Sequence, residues 1–333
     1  MSKIIISLDV GKFDTKAVGK IIDEGAEEIK KVCFRTKKYD LKNGFIDVEG
    51  ENSYKVVYDG NEYIIGEQGE DKSYDTSKTN LLHKVSAYTA ITQFLEPSVN
   101  GKSKKENKNE IYMVLACPLS VLQIQEKKEE YKEFIKENGP INIEVNNQHY
   151  TFEIKDITIK AEGSGILYLE QDLFKNKNMA IIDLGGLNMG FSLYRNGSCK
   201  KDDRFIEECG ANELTELVRE QLVIYKGGNL VSYDQTEQAL EKGYLAKMGS
   251  VDTESVRYIN MGKEKYYKKV MSYIKAHGYK LEELDGVVFV GGTSQKIKEI
   301  ISKELEHSYI PNNAQLSTVE GLYKVAFVKY GQQ

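Results

Sequence analysis

Two stretches of this chain read as copies of one device: Ile4-Ile5-Ile6-Ser7-Leu8-Asp9-Val10-Gly11 and Met179-Ala180-Ile181-Ile182-Asp183-Leu184-Gly185-Gly186. Each is a short apolar run that ends on an aspartate, passes at once into glycine, and continues into a second strand-like run. Short apolar runs bounded by turn signals predict strands. A third, Val287-Val288-Phe289-Val290, ends in Gly291-Gly292-Thr293-Ser294. A repeated strand–turn–strand unit predicts two similar halves, each an antiparallel strand pair with helices added later, and hence an α/β chain. Isolated buried carboxylates are costly without metal, donors or water. The pattern therefore points to a phosphate and a metal ion held between two similar halves.

At 333 residues the chain is comfortable for two domains. No run approaches the roughly 18 apolar residues of a membrane span, and Met1-Ser2-Lys3 leads straight into a strand pattern without a secretory leader. Four cysteines stand alone at 33, 117, 199 and 209, and two of the four histidines, His277 and His307, fall in predicted helices. The expectation is a cytoplasmic protein with reduced thiols and no zinc site. A formal charge of −5 argues against nonspecific wrapping of nucleic acid. The basic stretch from Gly101 to Lys108 reads as a solvated loop.

Along the chain, Asp59-Gly60-Asn61 between Tyr54–Tyr58 and Glu62–Gly66 predicts a tight hairpin. Helical spacing covers Leu81 to Phe94; a strand follows over Ile111 to Cys117, and Pro118 stops it before a charged helix through Ile135. Gln148 to Ile159 is strand-like, and Glu162-Gly163-Ser164-Gly165 opens a short helix. A new domain starts at about Asn178. Further helices are predicted over Asn212–Ile224, Thr236–Lys247, Lys263–His277, Gln295–Leu305 and Thr318–Lys329. Neither a Gly-x-Gly-x-x-Gly turn entering a helix nor a Gly-x-x-x-x-Gly-Lys-Ser/Thr loop is present, which excludes the usual dinucleotide and phosphate-loop signatures.

In Asp9-Val10-Gly11-Lys12-Phe13-Asp14-Thr15-Lys16, Gly11 lets backbone N–H groups approach an anion. Lys16, or alternatively Lys12, supplies a charge-assisted contact, and Asp14 and Thr15 suit side-chain bonds that hold the turn. In the second copy Gly185 and Gly186 form a cradle. Asn188 is placed to donate to a phosphate oxygen, while Leu187 stands where a small hydroxyl residue is expected. Asp9 and Asp183 suit direct or water-mediated coordination of Mg2+. Glu162 fits two roles: orienting an attacking water, or meeting the exposed N–H groups of a helix start. Gly291, Gly292, Thr293 and Ser294 suit the approach of a purine or its ribose, with a helix N-terminus behind them. Glu208, Gly210, Asn212 and Glu213 form a polar group placed for sugar hydroxyls, and Glu237, Glu241 and Lys242 are further candidates that also suit a helix surface.

Taken together, Asp9-Val10-Gly11 with Lys16, Ala116-Cys117-Pro118, Glu162-Gly163-Ser164-Gly165, Ile182-Asp183-Leu184-Gly185-Gly186 and Val290-Gly291-Gly292-Thr293 resemble the actin, heat-shock and sugar-kinase ATPase superfamily. Within it, the chain resembles the ParM-type plasmid-segregating actin-like proteins. The resemblance implies an actin-like two-lobed fold with a nucleotide cleft between duplicated ribonuclease-H-like domains. The first lobe would span 1–177 with a smaller insertion near 30–100, the second 178–315, and 316–333 would return to the first. It implies phosphate loops at Asp9–Lys16 and Asp183–Asn188, a catalytic pair of Glu162 and Asp183, and an adenosine loop at Gly291–Ser294. A second connecting segment would lie near Thr318 to Val325, with a turn at Glu320-Gly321. ATP and ADP with Mg2+ are the implied ligands. A self-assembled helical filament and a DNA-binding adaptor on plasmid DNA are the implied partners. Two alternatives stand beside this: a small-molecule kinase of the same superfamily, and a noncatalytic nucleotide-responsive scaffold.

Overall fold

The strand that carries the first aspartate, β1 (Lys3–Val10), is buried along almost its whole length, so it is covered on both faces. Its side chains alternate. Ile4, Ile6, Leu8 and Val10 enter one apolar core with Val85, Tyr88 and Ile91, while Ser7 on the opposite face donates to the Val319 carbonyl at 2.6 Å. Burying each of these aliphatic side chains stabilises the fold by about 1.5–3 kcal/mol. The computed structural model describes residues 3–22, 29–44, 47, 51–70, 78–98 and 109–331; the lysine-rich stretch at 101–108 lies outside them.

The chain forms two compact units, Met1–Leu169 with Thr318–Gln333, and Glu170–Ser317. In the first, β1 is followed by β2 (Asp14–Ile22), β3 (Lys30–Arg35), β4 (Lys38–Asp40), β5 (Ser53–Tyr58) and β6 (Asn61–Gly66). Then come α1 (Leu81–Thr92), β7 (Asn109–Cys117), α2 (Leu119–Leu122), α3 (Gln125–Lys136), β8 (Ile141–Val145), β9 (Gln148–Ala161) and α4 (Ile166–Leu169). The strands form one sheet in the order β3-β2-β1-β7-β9-β8-β5-β6-β4. β1 and β2 are an antiparallel hairpin, and β7 runs parallel to both β1 and β9. The predicted Asp-Gly hairpin forms, with Asp59 at φ 48° and Gly60 at φ 69°.

The second unit contains α5 (Gln171–Phe174), β10 (Asn178–Leu184), β11 (Met189–Arg195), β12 (Arg204–Glu207), α6 (Ala211–Tyr225) and α7 (Tyr233–Lys242). It continues through β13 (Leu245–Lys247), β14 (Ser250–Asp252), α8 (Thr253–Ala276), β15 (Gly286–Val290), α9 (Gly292–Lys296), α10 (Lys298–Glu304) and β16 (Ser308–Tyr309). Its main sheet has the order β12-β11-β10-β15-β16. Here too an antiparallel hairpin, β10–β11, lies beside a parallel strand, β15. The unit begins ahead of Asn178 because Phe174 packs edge-on against Tyr194 of β11, ring centroids 6.0 Å apart.

Four helix expectations shift. α7 starts at Tyr233, behind a capping box of Ser232 and Gln235, and stops at Gly243, whose φ of 81° closes the helix. Leu245–Lys247 is a strand instead. α8 starts ten residues earlier than its spacing predicts: Gly262, which looks like a break, sits inside it so that α6 can approach, since a Cβ there would lie 2.6 Å from Val218 Cα. Gly292 begins a helix ahead of Gln295, and the segment divides at Ile297 into α9 and α10. Finally, α11 (Ser317–Tyr330) runs through Glu320-Gly321 without a turn. Gly321 crosses Gly165 there, and a Cβ at 321 would lie 1.8 Å from the Gly165 carbonyl oxygen. His307 lies in a turn, not a helix, and its Nε2 is 2.9 Å from the Leu281 carbonyl oxygen.

Candidate functional site

The first turn is closed by the Gly11 amide, which donates to the Asp14 carbonyl at 2.9 Å. Hairpin register places Lys16 directly opposite Asp9, with Nζ 3.9 Å from Asp9 Oδ2. Asp9 is buried, and its Oδ1 has no hydrogen-bond partner. Asp14 lies 3.8 Å from Arg35 Nε, and that guanidinium stacks on Phe13 at 3.4 Å from the ring centroid. The Thr15 hydroxyl is buried against that of Thr36 at 2.9 Å, so it braces the hairpin from inside.

Glu162 leaves the end of β9 beside the end of β7, its amide donating to the Cys117 carbonyl at 2.9 Å. Lys78, which precedes α1, brings a buried ammonium to 3.1 Å from Glu162 Oε1. The same Nζ donates to the Val10 carbonyl at 2.5 Å. Burial pushes the Glu162 carboxyl above its usual range; Lys78 opposes that shift and Asp9 adds to it. The Tyr131 hydroxyl of α3 is buried without a hydrogen-bond partner, and burial, with Cys117, Glu162 and Asp9 nearby, holds its pKa well above the usual value. Burial, reinforced by Glu162, pushes Cys117 up to about 12, so this thiol is protonated at neutral pH and not a nucleophile.

In the second unit the same turn recurs: the Gly185 amide donates to the Asn188 carbonyl at 3.0 Å. Register puts Gly190 opposite Asp183, where the first hairpin has Lys16 opposite Asp9. The start of α6 cradles this turn, because the amides of Gly210, Ala211 and Asn212 donate to the carbonyls of Leu187, Gly185 and Gly186 at 3.0, 2.9 and 3.1 Å. Those amides therefore support the loop. Asn212 accepts from the Tyr233 hydroxyl at 2.7 Å, and Glu213 pairs with Lys269 at 2.6 Å.

The third turn packs onto the second. The Gly291 amide donates to the Ala314 carbonyl at 3.0 Å, and Thr293 donates to the Gly185 carbonyl at 3.1 Å. Ser294 is buried and donates to the Val290 carbonyl at 2.6 Å, so its hydroxyl holds the helix start. Gly292 lies against Gln315. Gly291 has φ 88°, and a Cβ on it would lie 2.4 Å from the Leu184 oxygen and 2.8 Å from Asp183 Oδ1. Alanine at this position is expected to cost at least about 3 kcal/mol, from left-handed strain plus backbone overlap, read as a lower urea midpoint.

Beside this turn is a cavity of about 780 Å³ lined by Glu241 and Lys242 of α7, Lys263 and Tyr267 of α8, and Gln295 and Lys296 of α9. Lys296 pairs with Glu241. Burial lowers the Lys263 pKa, with Glu299 and Glu241 opposing. Glu237 sits half-buried on α7, outside that lining.

Within the first unit, Asp9, Gly11, Asp14, Lys16 and Glu162 are thus gathered, with Lys12 on the same turn. Within the second, Asp183, Gly185, Gly186, Asn188, Gly210, Asn212, Gly291 and Thr293 are gathered. Lys78, Arg35 and Tyr131 escape a reading of the sequence, since nothing local separates a buried lysine before a helix from a solvated one.

The family model for the N-terminal domain of actin like proteins matches residues 7–165. A solved Alp12 filament structure has a chain 51% identical to this one, with 99% of this chain and 100% of that chain covered and a TM-score of 0.71. A non-polymerisable quadruple mutant of pCBH ParM aligns over 97% of this chain and 98% of its own at 15% identity, TM-score 0.73. The ADP complex of the archaeal actin homolog Ta0583 aligns over 98% and 99% at 14% identity, TM-score 0.71. The latter two establish likeness of fold. No curated protein sequence matches the chain. Among the described residues, no helix is long and apolar enough to cross a membrane. The 51% identity to Alp12 over nearly the whole chain and the match to the N-terminal domain model place this chain in the actin-like protein family, with the actin-like fold.

Proposed function

We propose that the chain is a filament-forming, cytoplasmic ATPase that moves or separates plasmid DNA through a DNA-binding adaptor, with hydrolysis controlling filament stability. The observation that carries this reading is full-length identity of 51% to a protein solved as a filament. The two turns, each closing glycine to the residue three positions on behind an aspartate, support the nucleotide part. The first unit furnishes Asp9, the turn amides and the Lys16 charge. The second furnishes Asp183, the glycine turns and the cavity beside α9 for a nucleoside.

The carboxylates fit Mg2+. Asp9 presents a buried, unpartnered Oδ1, and among the described residues no group of three or more His, Cys, Asp or Glu side chains is arranged to hold a metal ion by itself. A hard ion would draw its remaining ligands from phosphate and water. Bound there, it would neutralise charge on the phosphates. In hydrolysis, the oxygen of a water bonds to the terminal phosphorus and the bridging P–O bond breaks. ADP leaves with the electron pair, and Glu162 orients the water and accepts its proton. A filament follows when subunits meet through a non-closing contact. ATP controls it by binding one conformation better than another.

Sedimentation and electron microscopy of the full chain test this reading. Polymer is expected with ATP and Mg2+, and loss of polymer on adding EDTA. A chain that stays monomeric with ATP, GTP and ADP across a wide concentration range would refute it.

A further inference from the structure

The Lys78 side chain is 3% exposed. An ammonium removed from water loses several kcal/mol of solvation unless its three N–H groups find acceptors. One N–H goes to the Val10 carbonyl at 2.5 Å. Toward Glu162 the contact is an ion pair at 3.1 Å, without hydrogen-bond alignment at Oε1. A methionine would fill this space with no charge to desolvate, so net stability is a weak reason for a lysine here. What the lysine adds is positive charge between two specific groups: the carbonyl that joins Asp9 to the first turn, and the carboxylate at the end of β9.

The surroundings make that charge matter. Glu162 is faced by Asp9 of β1, Lys16 of β2, Cys117 of β7, Tyr131 of α3 and Lys78. Cys117 and Tyr131 stay neutral, Asp9 repels a second negative charge, and Lys16 pairs with Asp9. His83 of α1 is held neutral by burial, with Lys78 and Lys12 adding to the effect, and its pKa is lowered to about 2. Lys78 is a cation in direct contact with Glu162, at 3.1 Å from Oε1.

We propose that Lys78 is a positioning residue: its ammonium keeps the Glu162 carboxylate ionised and aimed beside the first turn, and its remaining donor capacity meets an oxygen of the terminal phosphate of the bound nucleotide. A phosphate oxygen is the better acceptor for an ammonium. Its arrival loosens the hold on Glu162 Oε1, which then takes a hydrogen bond from water. Lys78 thus couples an occupied phosphate site to a competent base. This rests on the hydrolytic reading given above.

The test compares ATP turnover against pH at saturating ATP and Mg2+, with nucleotide affinity measured in parallel, for wild type, Lys78→Met, Lys78→Arg, Glu162→Gln and the Lys78→Met/Glu162→Gln double variant. Lys78→Met is expected to lower kcat by about tenfold or more and to move the acid limb up by at least about one pH unit, as loss of a contacting opposite charge requires. The same substitution should cost less in the Glu162→Gln background, where only the phosphate contact remains to be lost. Lys78→Arg keeps the charge but not the compact head, so the acid limb should return to its wild-type position while kcat stays low. An unmoved acid limb in Lys78→Met, with equal losses in both backgrounds, would mark the lysine as merely structural and overturn the proposal. Should circular dichroism show Lys78→Met unfolded, Lys78→Arg decides: wild-type kcat in that variant also overturns it. Wild-type turnover in Glu162→Gln would instead overturn the hydrolytic reading, and this proposal with it.

Discussion

Alanine at Gly321 is expected to destabilise the first unit by at least about 4 kcal/mol, among the largest effects a single methyl group produces. The added Cβ would stand 1.8 Å from the Gly165 oxygen and 2.3 Å from its carbon. A Cβ on Gly165 would in turn lie 2.1 Å from the Thr318 oxygen. Both obstacles are backbone, so no rotamer change relieves them, and α11 would have to lift from the sheet. That movement would break the Ser7 bond to Val319 and the Lys3 bond to the Tyr330 carbonyl. Urea unfolding measures the effect. Gly139→Ala is the control, because Gly139 has φ 92° with nothing near its missing Cβ, so only about 1 kcal/mol of backbone strain is expected. A Gly321→Ala loss no larger than the control would refute the packing argument.

Glu162→Gln is expected to lower ATP turnover by about 10²- to 10⁴-fold, the range for loss of a general base, with nucleotide affinity within about threefold of wild type. The pH profile of the wild type gives the second readout. A base works when ionised, and burial raises the Glu162 pKa above the ordinary 4.5 even with Lys78 opposing it. Turnover therefore falls as pH drops through a value above 4.5, and the acid limb vanishes in Glu162→Gln. Unchanged turnover in the folded variant would remove Glu162 from the chemistry.

The two hairpins were legible in the sequence because their signals are local: apolar run, aspartate, glycine, apolar run. The same holds for the Asp59-Gly60 turn, where two residues suffice to specify the backbone. Glycines inside helices carry no such local signal. Gly262 and Gly321 look like breaks along the chain, yet each serves a close crossing with a distant element, and such contacts leave no periodic trace. Ile141–Val145 carries too little pattern in five residues to announce a strand, and its hairpin to β9 turns on Asn146 and Asn147, both at positive φ. Lys78 was invisible for another reason. Its role depends on burial beneath residues far from it in sequence, and a lysine codon says nothing of burial.

Equal turn length in the two hairpins makes them interchangeable parts. Asp9 pairs with Lys16 and Asp183 with Gly190, each seven positions on, so the segment 9–16 can be grafted onto 183–190 without shifting any strand partner. A one-residue insertion in either turn would instead send the outgoing side chains to the opposite face of the sheet. The device is thus locked in length and at its turn glycine, where a Cβ on Gly11 would lie 2.6 Å from the Asp14 oxygen, and substitutions at its other positions can diversify the two copies while indels cannot.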